Sequence, residues 1–271
     1  MPELPEVETA RRGISPYLIG RRIKAVTVRD SRLRWPVPAA LVKELRGQRI
    51  EDITRRGKYL LLHTGAGTAI LHLGMSGSLR VLASNTPPEK HDHVDMEFDG
   101  GRILRLRDPR RFGTLLWTRG DARRHKLLKD LGPEPLDAAF DGDHLFNHSR
   151  GRKVAVKTFL MNSHVVVGVG NIYASESLYL AGIHPERLAG RITRERYALL
   201  AKAVKRVLTA AIKSGGTTLR DFTREDGEPG YFYLRLRVYD REGRTCKRCG
   251  GTIVSKVTGQ RSTYYCPSCQ K

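Results

Sequence analysis

The chain has 271 residues, and its 49 lysines and arginines against 28 aspartates and glutamates give a formal net charge of +21 at pH 7. Such a length allows one large domain or two small ones, and such a charge favours a polyanionic partner, above all nucleic acid. No apolar run approaches the roughly 20 residues that a membrane-spanning helix needs, and the start is acidic, unlike a signal peptide, so we expect a cytoplasmic protein that does not contact a membrane.

The first predicted element is an amphipathic helix that begins near Pro5, a residue suited to a first helical turn, and ends before Gly20. It follows Met1-Pro2. Removal of Met1 would leave Pro2 with a secondary amine, and because α-amino groups have pKa values of about 7.7–8.0, part of that amine is unprotonated near neutral pH. Such an amine can form an iminium adduct with a sugar carbon at the aldehyde oxidation level. Met-Pro alone is an ordinary start, so this hypothesis depends on the rest of the chain.

After this helix the hydrophobic period changes to that of β-strands. Short apolar runs follow one another, separated by turns such as Asp99-Gly100-Gly101. Their number and spacing predict a two-layer β-sandwich with the N-terminal helix packed alongside. The predicted strands are Ile23–Val28, Ile50–Thr54, Tyr59–His63, Ala69–Leu73, Leu79–Leu82, Val94–Phe98, Ile103–Arg107 and Thr114–Trp117.

Loops between these strands carry side chains that a core does not need. Lys58 precedes an apolar strand, Met75 stands between glycines, and Arg110 and Phe112 share one loop. Exposed Met, Arg and Phe on loops fit a wedge that enters a duplex and fills the hole left by an extruded base. The simpler alternatives are a solvated lysine at a strand edge and a loop Met and Phe that fold back on the core.

Helices dominate after Gly132-Pro133-Glu134-Pro135, with predicted helices at Val154–Met161, Ile172–Ala181 and Arg194–Lys213. Asn171 is placed to N-cap the second helix and Gly182 to end it. Two glycines lead into Asn171, so backbone N–H groups and the helix dipole favour an anion there, in so basic a chain a DNA phosphate. A tight turn is the equally open alternative.

Two features mark the C-terminal part. The Gly- and Pro-punctuated stretch Gly215–Tyr233 is long for a loop in a compact protein, which is typical of a functional or disordered segment. All four cysteines follow in the last 26 residues, as Cys246-x-x-Cys249 and Cys266-x-x-Cys269 separated by sixteen residues. This spacing predicts one structural Zn²⁺ held by four thiolates with no open position. Redox dithiols are the alternative, but the strand–helix context that they need is missing.

The chain as a whole resembles the formamidopyrimidine-DNA glycosylase family, the bacterial-type repair enzymes for oxidised purines. The resemblance covers nearly the whole length in the same order. It is carried by MPELPEVET at residues 1–9, HLGMSG at 72–77, HDH at 91–93, DPRRFG at 108–113, GVGNIY at 168–173, and the four-cysteine module with Gln260-Arg261.

The resemblance implies an α+β multidomain fold. An N-terminal helix and a two-layer β-sandwich would form a catalytic domain over residues 1–131. A helix–two-turn–helix domain with a lesion-capping loop would occupy residues 132–236, and a four-cysteine zinc β-hairpin residues 237–271, in a monomer. In that hairpin we predict strands at Thr252–Lys256 and Ser262–Tyr265, with Arg261 near the tip, where a solvated side chain is the alternative to a phosphate contact.

The resemblance also implies a bifunctional glycosylase and AP lyase that excises oxidised purines, such as 8-oxoguanine and formamidopyrimidines, from damaged double-stranded DNA in base excision repair. Pro2 would attack C1′, and Glu3 would serve as the acid/base group while Glu6 positions the site. Lys58 and Arg261 would contact phosphates and assist β,δ-elimination.

Further residues match the family's DNA contacts. Met75, Arg110 and Phe112 would fill the void, with Arg110 facing the orphaned cytosine. His91, Arg152, Lys157 and Asn171 would hold the backbone, and Gly215–Tyr233 would cover the extruded base. One departure is Asn162, where the family often has an acidic residue; the position is expected to be structural.

Two alternatives share this architecture. The endonuclease VIII type has Pro2 and Glu3 but prefers oxidised pyrimidines; its usual start has Gly where this chain has Leu4, and its void-filling residues differ. A catalytically silent damage-binding protein would have no reason to keep an amine nucleophile with Glu3, Lys58 and Arg261.

Overall fold

The computed structural model describes residues 1–216 and 235–271, which form two compact units. The first contains Met1–Lys129 with Gly215 and Gly216, and the second contains Asp130–Ser214 with residues 235–271. Most of the expected lesion-capping loop, residues 217–234, lies outside the described residues. In the described parts no helix has the length and apolar character needed to cross a bilayer.

The first unit is a β-sandwich, as predicted. Its two antiparallel four-stranded sheets have the strand orders β1-β6-β7-β5 and β2-β3-β4-β8. The elements are helix α1 (Leu4–Leu18), β1 (Ile23–Val28), helix α2 (Ala39–Leu45), β2 (Asp52–Arg56), β3 (Tyr59–Thr64), β4 (Gly67–His72), β5 (Ser78–Ala83), β6 (Asp92–Phe98), β7 (Arg102–Arg107) and β8 (Thr114–Thr118).

Helix α1 packs its apolar face into the core of the sandwich. Val7, Ile14 and Leu18 lie in one buried cluster with residues from both sheets, such as Leu62 and Leu104. Burying each leucine or valine of this kind contributes roughly 1.5–3 kcal/mol. The predicted helix bounds are confirmed, because the helix ends at Leu18, two residues before a glycine with φ +82°.

The second unit begins with four helices: α3 (Gly142–Ser149), α4 (Val156–Leu160), α5 (Asn171–Ala181) and α6 (Arg194–Lys213). Helix α5 is buried from Ile172 to Tyr179, so it is the central helix. Gly182 ends it in the left-handed conformation at φ 69°, as predicted. Helix α4 starts two residues later than expected, and α3, which was not predicted, packs closely on α6: a Cβ on Gly142 would lie 2.5 Å from the Ala198 Cα.

The remaining strands, β9 (Val254–Thr258) and β10 (Arg261–Tyr265), form the C-terminal hairpin. Gly259 and Gln260 both have positive φ, 56° and 60°, so they form a two-residue mirror-type turn. The predicted first strand therefore shifts by two residues, and Arg261 is the first residue of β10, paired with Thr258.

Backbone and side-chain bonds attach this hairpin module to the helices of its own unit. Lys271 N donates to Gly182 O (3.0 Å), and His184 N donates to Lys271 O (3.1 Å). The Glu176 carboxylate of α5 accepts bonds of 2.8–3.0 Å from the backbone N–H groups of residues 237–239. Burial raises the pKa of the Glu176 carboxyl, while these three donors favour its charged form.

Candidate active site and metal centre

Strand register in the first unit brings separate loops to one end of the sandwich. Tyr59 of β3 pairs with His72 of β4, and His72 pairs with Thr114 of β8. Lys58 lies directly before the first of these positions and Phe112 two residues before the last. The loop that contains Met75 leaves β4 at the same end.

The second sheet ends at the same place. Arg107 of β7 pairs with both Ser78 of β5 and Asp92 of β6. His91 therefore stands beside Asp108, and the Asp108 N–H donates to His91 O at 3.0 Å. His91 has a left-handed backbone at φ 78°, an uncommon conformation for a residue with a side chain.

Asp108 joins these loops into one network. Its Oδ1 accepts from Ser76 Oγ (2.9 Å), its Oδ2 accepts from Gly113 N (2.7 Å), and Ser76 Oγ accepts from Arg110 N (3.2 Å). His93 Nε2 lies 2.8 Å from Asp108 O. Sequence reasoning named the loop motif but missed Asp108 and Ser76, because an Asp before Pro reads equally well as an ordinary turn residue.

The network leaves the void-filling candidates on the surface. Phe112 is 45% exposed, and the Arg110 guanidinium carbon lies 4.9 Å from the centre of its ring, a cation–π contact. Met75 is half-buried in the adjoining loop. Close backbone packing fixes that loop, since a Cβ on Gly74 would lie 2.4 Å from Phe112 C. The simpler alternative, in which the Phe112 side chain folds back on the core, is therefore wrong.

The first turn of α1 is built from the catalytic candidates. Glu3 and Glu6 form a capping box, in which Glu3 N donates to Glu6 Oε2 at 2.8 Å, and both side chains are buried. Pro2 is buried and still carries Met1. Gly216 lies against this carboxylate, because a Cβ at that position, where φ is +80°, would come within 3.0 Å of Glu6 Oε1.

Contacts along α1 show which way its start points. Arg11 Nη1 donates to Ile53 O (3.2 Å), and Arg55 Nε donates to Glu8 Oε2 (3.2 Å). Followed from its C-terminal end to its N-terminal end, helix α1 thus runs along β2 toward the Gly57-Lys58 turn. The structure thereby places Pro2 and Glu3 toward the same end of the sandwich as Lys58.

Positive charge dominates that end. Burial, together with the charges of Lys58 and Arg34, lowers the pKa of His72 to about 4. His72 is therefore neutral near pH 7, and its Nδ1 accepts a hydrogen bond from Gly74 N at 2.9 Å. Because Lys58 directly precedes Tyr59, which pairs with His72, its backbone lies near the end of β4.

In the second unit, Lys157 does not fit the expectation of a DNA contact. Its side chain is 1% exposed, and its Nζ donates to Ser262 O (2.9 Å) and to Thr263 Oγ1 (2.7 Å) of β10. In this structure the ammonium is therefore bonded within the protein and is not exposed to a phosphate. Lys157 instead holds the hairpin against α4, which corrects the prediction.

Two other candidates of this unit are exposed. Arg152 and Arg261 both line a cleft of about 370 Å³, together with Asn162. The Asn162 side-chain oxygen accepts from His164 N at 3.0 Å, so the residue stabilises a turn, the structural role expected for it.

Asn171 differs from the prediction in one respect. Gly170 is the N-cap of α5, with no side-chain capping bond, and Asn171 is the first helical residue. Within the described residues its Oδ1 is buried without a hydrogen-bond partner. The side chain is therefore not used as a cap.

The four cysteines have the geometry of a zinc site. Their sulfur atoms lie within 4.8 Å of one another, and the pairs Cys246–Cys269 and Cys249–Cys266 are 3.8 and 3.5 Å apart. Zn–S bonds of about 2.3 Å in a tetrahedron place sulfurs about 3.8 Å apart. These distances are far too long for disulfides. The residues present fit one four-coordinate Zn²⁺, which when bound supplies structural cross-linking and leaves no position for substrate.

Comparisons with known proteins agree with this description along the chain. Three family models match: "Formamidopyrimidine-DNA glycosylase N-terminal domain" at residues 1–115, "Formamidopyrimidine-DNA glycosylase H2TH domain" at 131–223, and "Zinc finger found in FPG and IleRS" at 243–271. A formamidopyrimidine-DNA glycosylase of Syntrophotalea carbinolica is 60% identical over 271 residues, which is all of both chains.

Solved structures are similar over the same length. A mutant Lactococcus lactis FPG in complex with Fapy-dG-containing DNA has a TM-score of 0.93 at 36% identity, with 100% of each chain covered. The L. lactis Fpg in complex with abasic-site DNA has a TM-score of 0.92 at 36% identity, with 99% of each chain covered.

Proposed function

The chain belongs to the formamidopyrimidine-DNA glycosylase family, and from this premise we propose how its residues divide the reaction. It is a DNA glycosylase and AP lyase that removes oxidised purines from damaged DNA in base excision repair. The observation that carries the residue assignment is the gathering of α1's first turn, Lys58 and the void-filling loops at one end of the sandwich.

Pro2 is the proposed nucleophile. After removal of Met1 its nitrogen becomes a secondary amine, which attacks C1′ of the damaged nucleotide while the bond from C1′ to the base breaks. The bond from C1′ to the ring oxygen then breaks, and the iminium that forms makes the adjacent sugar carbon acidic, so that the 3′ phosphate and then the 5′ phosphate are eliminated.

Glu3 transfers the protons in these reaction steps, and Glu6 positions the site. Glu3 protonates the ring oxygen as the sugar opens and is within one residue of the amine. The capping box fixes both carboxylates relative to the first turn of α1. The helix N-terminus favours the neutral amine, while the two carboxylates favour the ammonium.

Cations hold the phosphates whose charge develops during elimination. We assign this role to Lys58 in the first unit and Arg261 in the second, with Arg152, His91 and Asn171 as further backbone contacts. Arg261 and Arg152 are exposed on one cleft, which supports their assignment. Asn171 is the first residue of α5, where backbone N–H groups and the helix dipole favour an anion.

Void filling is assigned to the joined loops of the first unit. Phe112 and Arg110 form an exposed stacked pair, and Met75 lies on the loop beside them. An apolar ring with a guanidinium on its face can replace an extruded base in the stack, and Arg110 can bond the orphaned cytosine. The glycines that allow this close loop packing support the same assignment of void filling.

We also propose a partner, a location and a division of the chain into functional parts. The protein binds DNA as a monomer and works in the cytoplasm on the nucleoid. We keep three functional parts: residues 1–131 for catalysis, 132–236 for duplex binding and lesion capping, and 237–271 for the zinc hairpin. Gly216, which lies at Glu6, supports a capping role for the residues that follow it.

A single-turnover comparison tests the assigned lesion class. Base release is measured on duplexes that carry 8-oxoguanine opposite cytosine or an oxidised pyrimidine at the same position, with Phe112→Ala as the variant. We expect the purine lesion to react at least about tenfold faster, a difference of about 1.4 kcal/mol in activation free energy, and Phe112→Ala to slow it. Faster excision of the pyrimidine would assign the chain to the endonuclease VIII type instead.

A further inference from the structure

Tyr179, near the end of helix α5, contacts the zinc site from outside the cysteine module. Its side chain is 2% exposed, and its hydroxyl oxygen lies 3.3 Å from Cys246 Sγ. It belongs to one buried cluster with Val238, Cys246, Ile253 and Cys266. The Tyr179 hydroxyl has no role in the proposed reaction.

The direction of this hydrogen bond follows from the metal. A zinc-bound cysteine is a thiolate and has no proton to give, so the phenol must be the donor. Cys246 Sγ also accepts from Arg248 N at 3.4 Å, a contact from within the knuckle. In residues 1–216 and 235–271, Tyr179 is the one side chain other than cysteine that hydrogen-bonds a cysteine sulfur.

A cation lies beside the ring of Tyr179. The Arg248 guanidinium carbon is 4.8 Å from the centre of the Tyr179 ring, a cation–π contact. Cys246 is itself buried, so water cannot replace the phenol as the donor to its sulfur. A buried anion without donors is costly, and an outer hydrogen bond removes part of that cost.

We propose that Tyr179 is an outer-shell residue of the zinc site, whose hydroxyl slows zinc release and lowers the reactivity of the Cys246 thiolate toward oxidants. A hydrogen bond to sulfur reduces the electron density that makes a thiolate a nucleophile. The same bond ties the cysteine module to the helix that starts at Asn171. Tyr179 thus acts as a positioning residue for the hairpin, independently of the glycosylase assignment.

Zinc release from the full-length, zinc-loaded protein tests this role. Transfer of zinc to a chromogenic chelator is followed for wild type, Tyr179→Phe and Tyr197→Phe, with and without hydrogen peroxide. Tyr197 is the matched control, because it is fully buried in the same unit and its hydroxyl donates to Ala189 O at 2.9 Å, away from the cysteines. Loss of an outer-shell partner typically costs 10–100-fold in metal affinity.

We expect Tyr179→Phe to release zinc at least about tenfold faster than wild type, with a larger ratio under peroxide, and Tyr197→Phe to match wild type. Equal release rates for wild type and Tyr179→Phe would overturn the proposal. Equal acceleration in both variants would also overturn it, since that pattern reports general loosening of the helical unit.

A second measurement needs no variant and so does not depend on whether Tyr179→Phe folds. In wild-type protein loaded with ¹¹³Cd in place of zinc, the Tyr179 hydroxyl proton should show a scalar coupling to cadmium through Cys246 Sγ. A hydroxyl proton without that coupling, or one that exchanges as fast as an exposed tyrosine, contradicts the bond.

Discussion

At the scale of single residues, Asp108 has the largest structural consequence for the proposed site. Its carboxylate is fully buried and bonds two groups that belong to different loops, Ser76 Oγ and Gly113 N. Leaving buried donors without an acceptor costs about 1–3 kcal/mol. The exposed stack of Arg110 and Phe112 is therefore held in place by a residue whose own side chain is buried.

Replacing Asp108 by Ala tests this support. We expect Asp108→Ala to lower the free energy of unfolding by about 1–3 kcal/mol, because Gly113 N and Ser76 Oγ lose their acceptor. Excision should slow by on the order of tenfold to a hundredfold, since small displacements of positioned groups are that costly. Urea unfolding and single-turnover base release measure the two effects.

Glu89→Ala is the control for Asp108→Ala. The Glu89 carboxylate pairs with Arg107 but is 66% exposed, so its loss should change both quantities little. An Asp108→Ala protein with wild-type excision would show that the loops hold their positions without this carboxylate.

Lys157 shows what a sequence cannot say about a single lysine. A buried lysine that braces a hairpin and an exposed one that binds phosphate look the same in a linear motif. Its burial depends on Ser262 and Thr263, more than a hundred positions away in the chain. The same limit applies to Asn171, whose place as first helical residue rather than N-cap was decided by the backbone at Gly170.

The salt dependence of DNA binding separates these roles. Each phosphate contact contributes about 0.9 to the slope of log K against log salt concentration. We expect Arg152→Ala to reduce the slope by about 0.9, and Lys157→Met to weaken binding with the slope unchanged. Binding isotherms on one duplex at a series of salt concentrations measure both. A reduced slope for Lys157→Met would show that the Lys157 ammonium does contact a phosphate.

At the scale of elements, helix α1 is tied to strand β2 by an ion cluster. Glu8 accepts from Arg11, Arg12 and Arg55. Burial alone would raise the pKa of Glu8, but hydrogen bonds from Arg11 and Arg12 and the nearby charges lower it to about 2, from an ordinary value of 4.5. The cluster fixes the helix whose first turn carries Pro2 and Glu3.

The pH dependence of stability tests this cluster. Because the folded-state pKa of Glu8 is depressed, its contribution is fully present above pH 4.5 and is lost as pH falls toward 2. We expect Glu8→Gln to cost about 2 kcal/mol at pH 6 and progressively less below pH 4.5. Urea unfolding at several pH values measures the difference, with the exposed Glu51→Gln as control. If the loss of unfolding free energy in Glu8→Gln is independent of pH, the ionised form of the Glu8 carboxylate is not what stabilises the helix.

Elements with strong local signals were predicted, and weak ones were not. The strands of the sandwich were all recognised, because apolar runs between turn residues need no distant information. Helix α2 buries only Leu41 and Leu45, and α3 is a polar segment whose clearest signal is the Asp141 cap, which accepts from His144 N at 2.7 Å. In the hairpin, the positive φ angles at Gly259 and Gln260 place the turn closer to Arg261 than predicted.

At the scale of the whole molecule, sequence order and charge pointed to the same function. Motifs spread from residue 1 to the last cysteine identified the family, and a net charge of +21 matches a DNA partner. What the sequence did not provide is how loops from two sheets come to one end, because that depends on pairing between Tyr59, His72 and Thr114. The roles of the individual site residues stay predictions.

The most direct test of the central claim is borohydride trapping on a duplex with 8-oxoguanine opposite cytosine, followed by mass spectrometry of the linked peptide. We expect a covalent adduct on the N-terminal peptide, through the nitrogen of Pro2, with Met1 absent. An adduct on Lys58 or another lysine, or tight lesion binding with no adduct at all, would contradict it.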